Sequence, residues 1–244
     1  MITNTQGAYF NDPAIKAKYV GRYKAHMAQD AVIQGTGYDA GKGCFIGCTL
    51  LNYNHIQFEK ELNLPVWSGY LADVYFEHAP SNVAAQFGLD VLQAIQCGQN
   101  IEPVRWQLAV WRHTKQLAAL AANNEPYAVQ CKEALLQVIE YCQSQISGPP
   151  DESAAAAANS AAWLATSSAR QFAESSDNST AYLSARLAAE ALHSAALFSA
   201  ARATAATADV AELLARSAEG SARRSVVWQK ERSMFLQLLR EGAK

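Results

Sequence analysis

The sequence has no apolar run of about 20 residues, the length that a helix needs to cross a membrane. It also has no charged start followed by an apolar run, so residues 1–5 do not predict a signal peptide. The five cysteines are odd in number and lie in segments with helical patterns, which favours free thiols over a disulfide framework. These absences predict a soluble, cytoplasmic protein without a membrane partner.

Concentrated charge of either sign is also absent. Twenty Lys and Arg side chains nearly balance 22 Asp and Glu side chains, and the formal net charge is −2. A protein that binds the phosphate backbone of nucleic acid needs a positive surface, and none is indicated here. We therefore expect no nucleic-acid partner.

Strand patterns, meaning alternating β-branched runs joined by Asn-Gly turns, are missing as well. Apolar residues recur instead at helical spacing, and Asp12-Pro13 predicts a first helix that continues to Gly35. Further helices are predicted at about residues 43–51, 54–62, 65–79, 81–96, 103–122 and 126–146. The sequence thus predicts an all-α fold with a helical domain at residues 1–147.

The best domain boundary is Ser147-Gly148-Pro149-Pro150, which cannot continue a helix. Beyond it, residues 151–244 become rich in alanine, a strong helix former with a small side chain. Large apolar residues are sparse there, so an Ala-rich helical hairpin or bundle should need a neighbour for stability. We expect this segment to pack on the first domain or on another subunit, which predicts self-association.

Residue choice departs from simple packing in the stretch Gly41–Thr49, which combines glycines, two cysteines and a lysine. A glycine-rich loop with Lys42 and Gly43 at a helix start suits a small anionic or nucleotide-like ligand. His26 and Asp30, predicted one turn apart on the first helix, are the other candidate ligand-binding residues. The Walker pattern does not fit, because Gly43 occupies the Ser/Thr position and no strand precedes the loop.

A second interpretation is a reactive thiol at Cys44, near a helix start and next to a lysine. His55 would then be its base and Glu59, or alternatively Asp73, the carboxylate that orients the base. This hypothesis makes Cys44, His55 and Glu59 catalytic residues. The alternative is that Cys44 simply lies on a buried face, as free cysteines commonly do.

Metal binding is the third interpretation of the same stretch. Cys44, Cys48 and His55 would offer only three ligands, at a spacing unlike the standard zinc patterns. We therefore assign no metal ligands from the sequence, and any cofactor stays unknown. Asp73 and Glu77 also form a one-turn pair, and such pairs would line a polar cleft only if the fold brings them together.

The following segments resemble a family of uncharacterised bacterial and phage proteins: Ala28–Asp30, Gln34-Gly35, Gly41–Leu50, His55, Phe58–Pro65, Phe76-Glu77, Val91–Ile95, Gly98 and Ala109–Trp111. Members share the glycine–lysine–glycine–cysteine motif, a following histidine and Ala/Ser-rich C-terminal helices. Leu51 and Asn63 depart from the family pattern, which has histidine and glycine there. The resemblance implies common ancestry and no particular activity. Three functions stay open: a ligand-binding protein, a Cys-nucleophile enzyme, and a non-catalytic phage or prophage accessory protein acting through protein–protein contacts.

Overall fold

The computed structural model describes residues 7–122, 124–147, 160, 167 and 221–242. Eight α-helices account for most of these residues, which confirms the all-α prediction. Their bounds are α1 Pro13–Met27, α2 Phe45–Leu50, α3 His55–Leu62, α4 Val66–Glu77, α5 Ser81–Ala94, α6 Glu102–Leu120, α7 Pro126–Ser147 and α8 Ser221–Glu241. The strands of the described part are β1 Tyr38–Asp39 and β2 Lys42–Gly43, which pair antiparallel.

The chain divides into two compact units. One comprises Met1–Val104 together with Ser225–Lys244, and the other comprises Arg105–Arg224. The boundary predicted at residues 148–150 and nearly all of the Ala-rich segment lie outside the described residues, so both stay predictions. The last helix, α8, belongs almost entirely to the first unit.

Helix boundaries in the first unit follow from local chemistry. The Asp12 side chain accepts a hydrogen bond from the Ala14 N–H at the start of α1, and Asn54 caps α3 in the same way. Leu51 and Asn63 end α2 and α3 in the left-handed conformation. These short connections hold α2, α3 and α4 next to one another in the first unit.

The predicted length of the first helix is wrong. Helix α1 ends at Met27, and the chain then turns through Asp30, whose φ is 50°. The β-branched residues Val32 and Ile33 pair with the backbone of Gly43 instead of extending the helix. Their β propensity, combined with the partner offered by β2, outweighs the helical spacing that predicted a continuation to Gly35.

The core of the first unit surrounds the short helix α2, in which every residue is buried. Phe45 of this helix packs edge-on against Tyr23 of α1 and tilted against Phe58 of α3, with ring centroids 5.9 Å apart in both cases. Helix α4 contacts α2, α3 and α5. Cys44, which immediately precedes α2, is buried in the same unit.

Helix α8 is anchored to the same unit through α4. The Tyr75 hydroxyl donates a buried hydrogen bond of 2.8 Å to Glu231, and the Trp228 ring stacks on His78 at 4.5 Å. Phe235 is fully buried. Helix α4 thus contacts α8 with one set of residues and leaves Asp73 and Glu77 for other neighbours.

The second unit contains most of α6 and all of α7. Trp106 meets Tyr141 edge-on at 5.7 Å, and the Arg105 guanidinium lies over the Trp106 ring at 4.4 Å. His113 is buried and hydrogen-bonds through Nδ1 to Gln116 at 2.7 Å. Within the described residues of the whole chain, no helix has the length and apolarity required to cross a membrane.

Candidate functional site

The glycines of the Gly41–Thr49 stretch permit close backbone packing before α2. A Cβ atom at Gly43 would lie 2.5 Å from the carbonyl oxygen of Gly37, and one at Gly47 would overlap the same oxygen. The Cys44 N–H donates to the Thr36 carbonyl at 2.8 Å. Glycine is needed here because the loop and α2 touch through their backbones.

This packing holds the Cys44 thiol in a buried position beside α4. Cys44 is 1% exposed. Burial raises the pKa of its thiol, and the nearby Asp73 carboxylate raises it further, while the backbone N–H of Gly47 partly opposes these effects. In the absence of a cation, Cys44 is therefore a neutral thiol.

Asp73 is the buried carboxylate at the centre of this region, with 4% of its surface exposed. Its Oδ2 atom accepts hydrogen bonds from the Tyr53 hydroxyl at 3.1 Å and from His55 Nε2 at 3.3 Å. Its Oδ1 atom is buried and has no hydrogen-bond partner among the described residues. An unsatisfied buried carboxylate oxygen is costly, so its environment requires an explanation.

The His55 ring is fixed between two tyrosines. Tyr70 stacks on it with a centroid distance of 3.9 Å and an interplanar angle of 6°, and Tyr53 meets it edge-on at 5.0 Å. The ring itself is buried. His55 therefore presents Nε2 to Asp73 in one defined orientation.

Glu77 follows Asp73 by one turn of α4, which places both side chains on the same side of the helix. Its Oε2 atom accepts a hydrogen bond of 2.7 Å from the Gly35 N–H. Partial burial raises the pKa of Glu77, and Asp73 adds to that effect, while the Gly35 N–H opposes it. Gln34 reinforces this arrangement by donating to the carbonyls of Phe76, Glu77 and Ala79 at the end of α4.

The Cys44 thiol, the Asp73 carboxylate and the Glu77 carboxylate come together in space. Each offers one metal-ligating atom, and these three atoms all lie within 4.8 Å of one another. We refer to these three residues as the Cys44–Asp73–Glu77 cluster. Two members are buried and Glu77 is half-buried, so the cluster lies just below the surface of the first unit.

The predicted ligand-binding residues lie in different settings. Lys42 is exposed in β2, opposite Asp39. Gly43 is buried, and its N–H donates to the Ala31 carbonyl at 3.0 Å. Asp30 is exposed and lies beyond the end of α1. The prediction that it shares this helix with His26 is therefore wrong.

His26 and Glu59 are not members of the cluster. The His26 ring is hydrogen-bonded through Nδ1 to the Arg22 carbonyl of its own helix at 3.0 Å. Glu59 is exposed, and its side chain has no hydrogen bond or ion pair within the described residues. The carboxylate that pairs with His55 is Asp73, which was the alternative to Glu59.

Cys48 is separate from the cluster. Its thiol is directed to backbone carbonyls, at 3.2 Å from Gly43 O and 3.5 Å from Ala31 O. None of the five cysteines forms a disulfide within the described residues. The sequence analysis considered Cys44, Cys48 and His55 as metal ligands. Of these, only Cys44 belongs to the cluster, and His55 is hydrogen-bonded to the cluster residue Asp73.

The sequence did not single out Tyr53 or Tyr70, and it named Glu77 only as the one-turn partner of Asp73. Glu77 was detectable in part, because Asp73 and Glu77 are the only charged residues of α4. Two carboxylates one turn apart on an otherwise apolar helix indicate a buried polar site. The tyrosines carry no such signal, since aromatic residues near a core are usually packing residues.

No protein-family model, no curated protein and no solved structure matches this chain. The resemblance described above therefore stays a prediction.

Proposed function

We propose that the protein binds a divalent transition-metal ion, of which Zn²⁺ is the best match, through Cys44, Asp73 and Glu77. The observation that carries this proposal is that the three ligating atoms lie within 4.8 Å of one another. A thiolate with two carboxylates is a donor set for a borderline-soft divalent cation, whereas Mg²⁺ and Ca²⁺ prefer oxygen alone.

The hydrogen bonds of the two carboxylates support the proposal. Asp73 has its Oδ2 atom held by Tyr53 and His55, while its buried Oδ1 atom has no partner among the described residues. Glu77 has its Oε2 atom held by Gly35. Metal-ligating carboxylates are characteristically oriented by such bonds on one oxygen, which leaves the other oxygen for the ion.

A cation also accounts for the cost of this arrangement. Two carboxylates beside a buried thiol repel one another when ionised, and burial penalises each charge. A divalent ion compensates that repulsion and favours the thiolate form of Cys44. Without a cation, the raised pKa of Cys44 works against the nucleophile hypothesis, because a nucleophilic cysteine needs a lowered pKa.

An anionic ligand that binds without a metal is less favourable at this position. Such an anion would have to approach the carboxylates of Asp73 and Glu77. Lys42, the lysine predicted to bind the anion, is exposed to solvent in β2.

The accessory-protein hypothesis and self-association depend on the Ala-rich segment, which lies largely outside the described residues. Both remain proposals, as does a cytoplasmic location, which the absence of disulfides among the five described cysteines favours.

The test is a titration of metal-free protein with Zn²⁺ in competition with a chromophoric chelator. We expect one ion per chain for the wild type and a loss of affinity of at least about tenfold for Cys44→Ser and Asp73→Asn. Cys48→Ser is the matched control, because Cys48 lies four residues from Cys44 and bonds only to backbone carbonyls. Wild-type protein that binds no Zn²⁺, or equal losses in Cys44→Ser and Cys48→Ser, would refute the proposal. Circular dichroism establishes that each variant retains its helices.

A further inference from the structure

We propose that the segment Gln34–Gly37 positions two ligands of the metal site and that Gln34 is its principal positioning residue. Gln34 fixes this segment to the end of α4, so that the Gly35 N–H holds the Glu77 carboxylate ready for the ion. The inference rests on the proposed function, since it explains how the ligands of that site are held.

The segment contacts two of the three proposed ligands. The Gly35 N–H donates to Glu77 Oε2 at 2.7 Å. The Cys44 N–H donates to the carbonyl oxygens of Thr36 and Gly37, at 2.8 and 3.1 Å. Four consecutive residues therefore hold the side chain of one ligand and the backbone of another, which sets the position of the thiol relative to α4.

Gln34 attaches this segment to the end of α4. Its Nε2 atom donates to the carbonyl oxygens of Phe76, Glu77 and Ala79 at 2.7, 3.0 and 2.8 Å. Its Oε1 atom accepts a hydrogen bond from the Ser81 hydroxyl at 3.1 Å. The last carbonyls of a helix have no N–H partner further along that helix, so the Gln34 side chain supplies a donor that α4 lacks.

The contacts between the segment and Glu77 are reciprocal. The side chain of Gln34 binds the Glu77 carbonyl, and the backbone of Gly35 binds the Glu77 carboxylate. A glutamate side chain loses rotational freedom when it ligates an ion. A side chain that is already held in one orientation loses less, which favours metal affinity. Gln34 therefore contributes to metal binding through Glu77, although it is not itself a ligand.

The test is a double-mutant cycle of Gln34→Met and Glu77→Ala, in which the affinity for Zn²⁺ is measured by chelator competition. Methionine has nearly the size of glutamine but no N–H donor. We expect Gln34→Met to lower the affinity about tenfold, as is typical of residues that orient a ligand. Glu77→Ala should lower it at least as much. The double variant should bind no more weakly than Glu77→Ala alone, because Gln34 acts through Glu77.

Cobalt-substituted protein separates positioning from a general effect on folding, because the visible bands of Co²⁺ change when its ligands change. Gln34→Met should shift these bands in the same direction as Glu77→Ala. A residue that only stabilised the fold would lower the free energy of unfolding and leave the bands unchanged. Gln86→Met is the matched control, since the Gln86 amide donates to Asp90 on the exposed surface of α5. It should change neither the affinity nor the bands.

Gln34→Glu is a second variant, for use where Gln34→Met does not fold. Ionised glutamate keeps the length of the glutamine side chain but has no hydrogen to donate to the carbonyls of α4. It should reproduce the tenfold loss of affinity, and wild-type affinity in this variant would contradict the role of Gln34.

The outcomes separate this inference from the proposed function. A wild-type protein that binds neither Zn²⁺ nor Co²⁺ contradicts both. If the wild type binds Zn²⁺ and Gln34→Met binds it equally well, only the positioning role is refuted. A double variant that binds a further tenfold more weakly than Glu77→Ala, or cobalt bands that do not change in Gln34→Met, would refute the positioning role in the same way.

Discussion

His55 donates a hydrogen bond from Nε2 to Asp73 Oδ2 over 3.3 Å and thereby links α3 to α4. Both side chains are buried, and Tyr53 donates to the same oxygen. One oxygen of Asp73 is thus held by two donors, while the other has no partner within the described residues. That asymmetry is the basis for interpreting Asp73 as a metal ligand oriented by His55.

Replacement of His55 should weaken metal binding without removing a ligand. His55→Gln is expected to lower the affinity for Zn²⁺ about tenfold to a hundredfold, because Asp73 loses the ring that orients it. His26→Gln is the control, since His26 bonds to the backbone of its own helix. The measurement is the same chelator competition as above. Equal affinities in His55→Gln and the wild type would show that the hydrogen bond has no part in orienting the ligand.

Alkylation of the metal-free protein should begin at Cys97, which is half-buried while the other four cysteines are buried. Burial raises the pKa of Cys48 to about 11 and that of Cys142 to about 12, and it also raises the pKa of Cys44. At pH 8 we expect iodoacetamide to label Cys97 first and Cys44 only after unfolding, as measured by peptide mass spectrometry. Labelling of Cys44 at the rate of Cys97 would instead favour the reactive-thiol hypothesis.

The glycine of α2 should be far less tolerant of substitution than a glycine of α1. In Gly47→Ala the new methyl group would overlap the Gly37 carbonyl, and we expect a loss of about 3 kcal/mol in the free energy of unfolding. Gly21→Ala, where no atom lies within 4 Å of the new Cβ, should stabilise the protein by about 0.5–1 kcal/mol. Urea denaturation measures both. A neutral Gly47→Ala would mean that the loop does not need close packing to hold Cys44.

Protonation of His113 should destabilise the fold at acid pH. Burial lowers the pKa of His113 from 6.5 to about 4, so the unfolded chain takes up a proton at a pH where the folded chain does not. Stability is therefore lost as the pH falls from about 6.5 towards 4, by up to about 3 kcal/mol. The comparison is urea denaturation of the wild type and His113→Gln at pH 7 and pH 4.5. The wild type should lose more stability than the variant, and equal losses would contradict the lowered pKa.

Helix positions were largely predictable, because they depend on local signals. Asp12-Pro13, Asn54 and Pro65 each precede a helix for reasons of capping or backbone geometry that do not depend on the rest of the fold. The end of α1 was not predictable in this way. Val32 leaves the helical pattern where Gly43, eleven residues later, offers it a backbone partner.

The site was predictable only in part, for a related reason. Spacing along one helix suggested Glu59 as the partner of His55, since residues four apart share a face. The actual partner, Asp73, lies on the next helix, and its approach depends on how α4 packs against α3. The same packing brings Cys44 to Asp73 and Glu77, which no periodicity within a single segment can indicate.

The most direct test of the metal proposal is an anomalous difference map, calculated at the zinc absorption edge from crystals grown with Zn²⁺. We expect one strong peak about 2.3 Å from Cys44 Sγ and about 2.0–2.2 Å from carboxylate oxygens of Asp73 and Glu77. A map in which the zinc peaks lie elsewhere, or in which Cys44 and Asp73 have no peak between them, would contradict it.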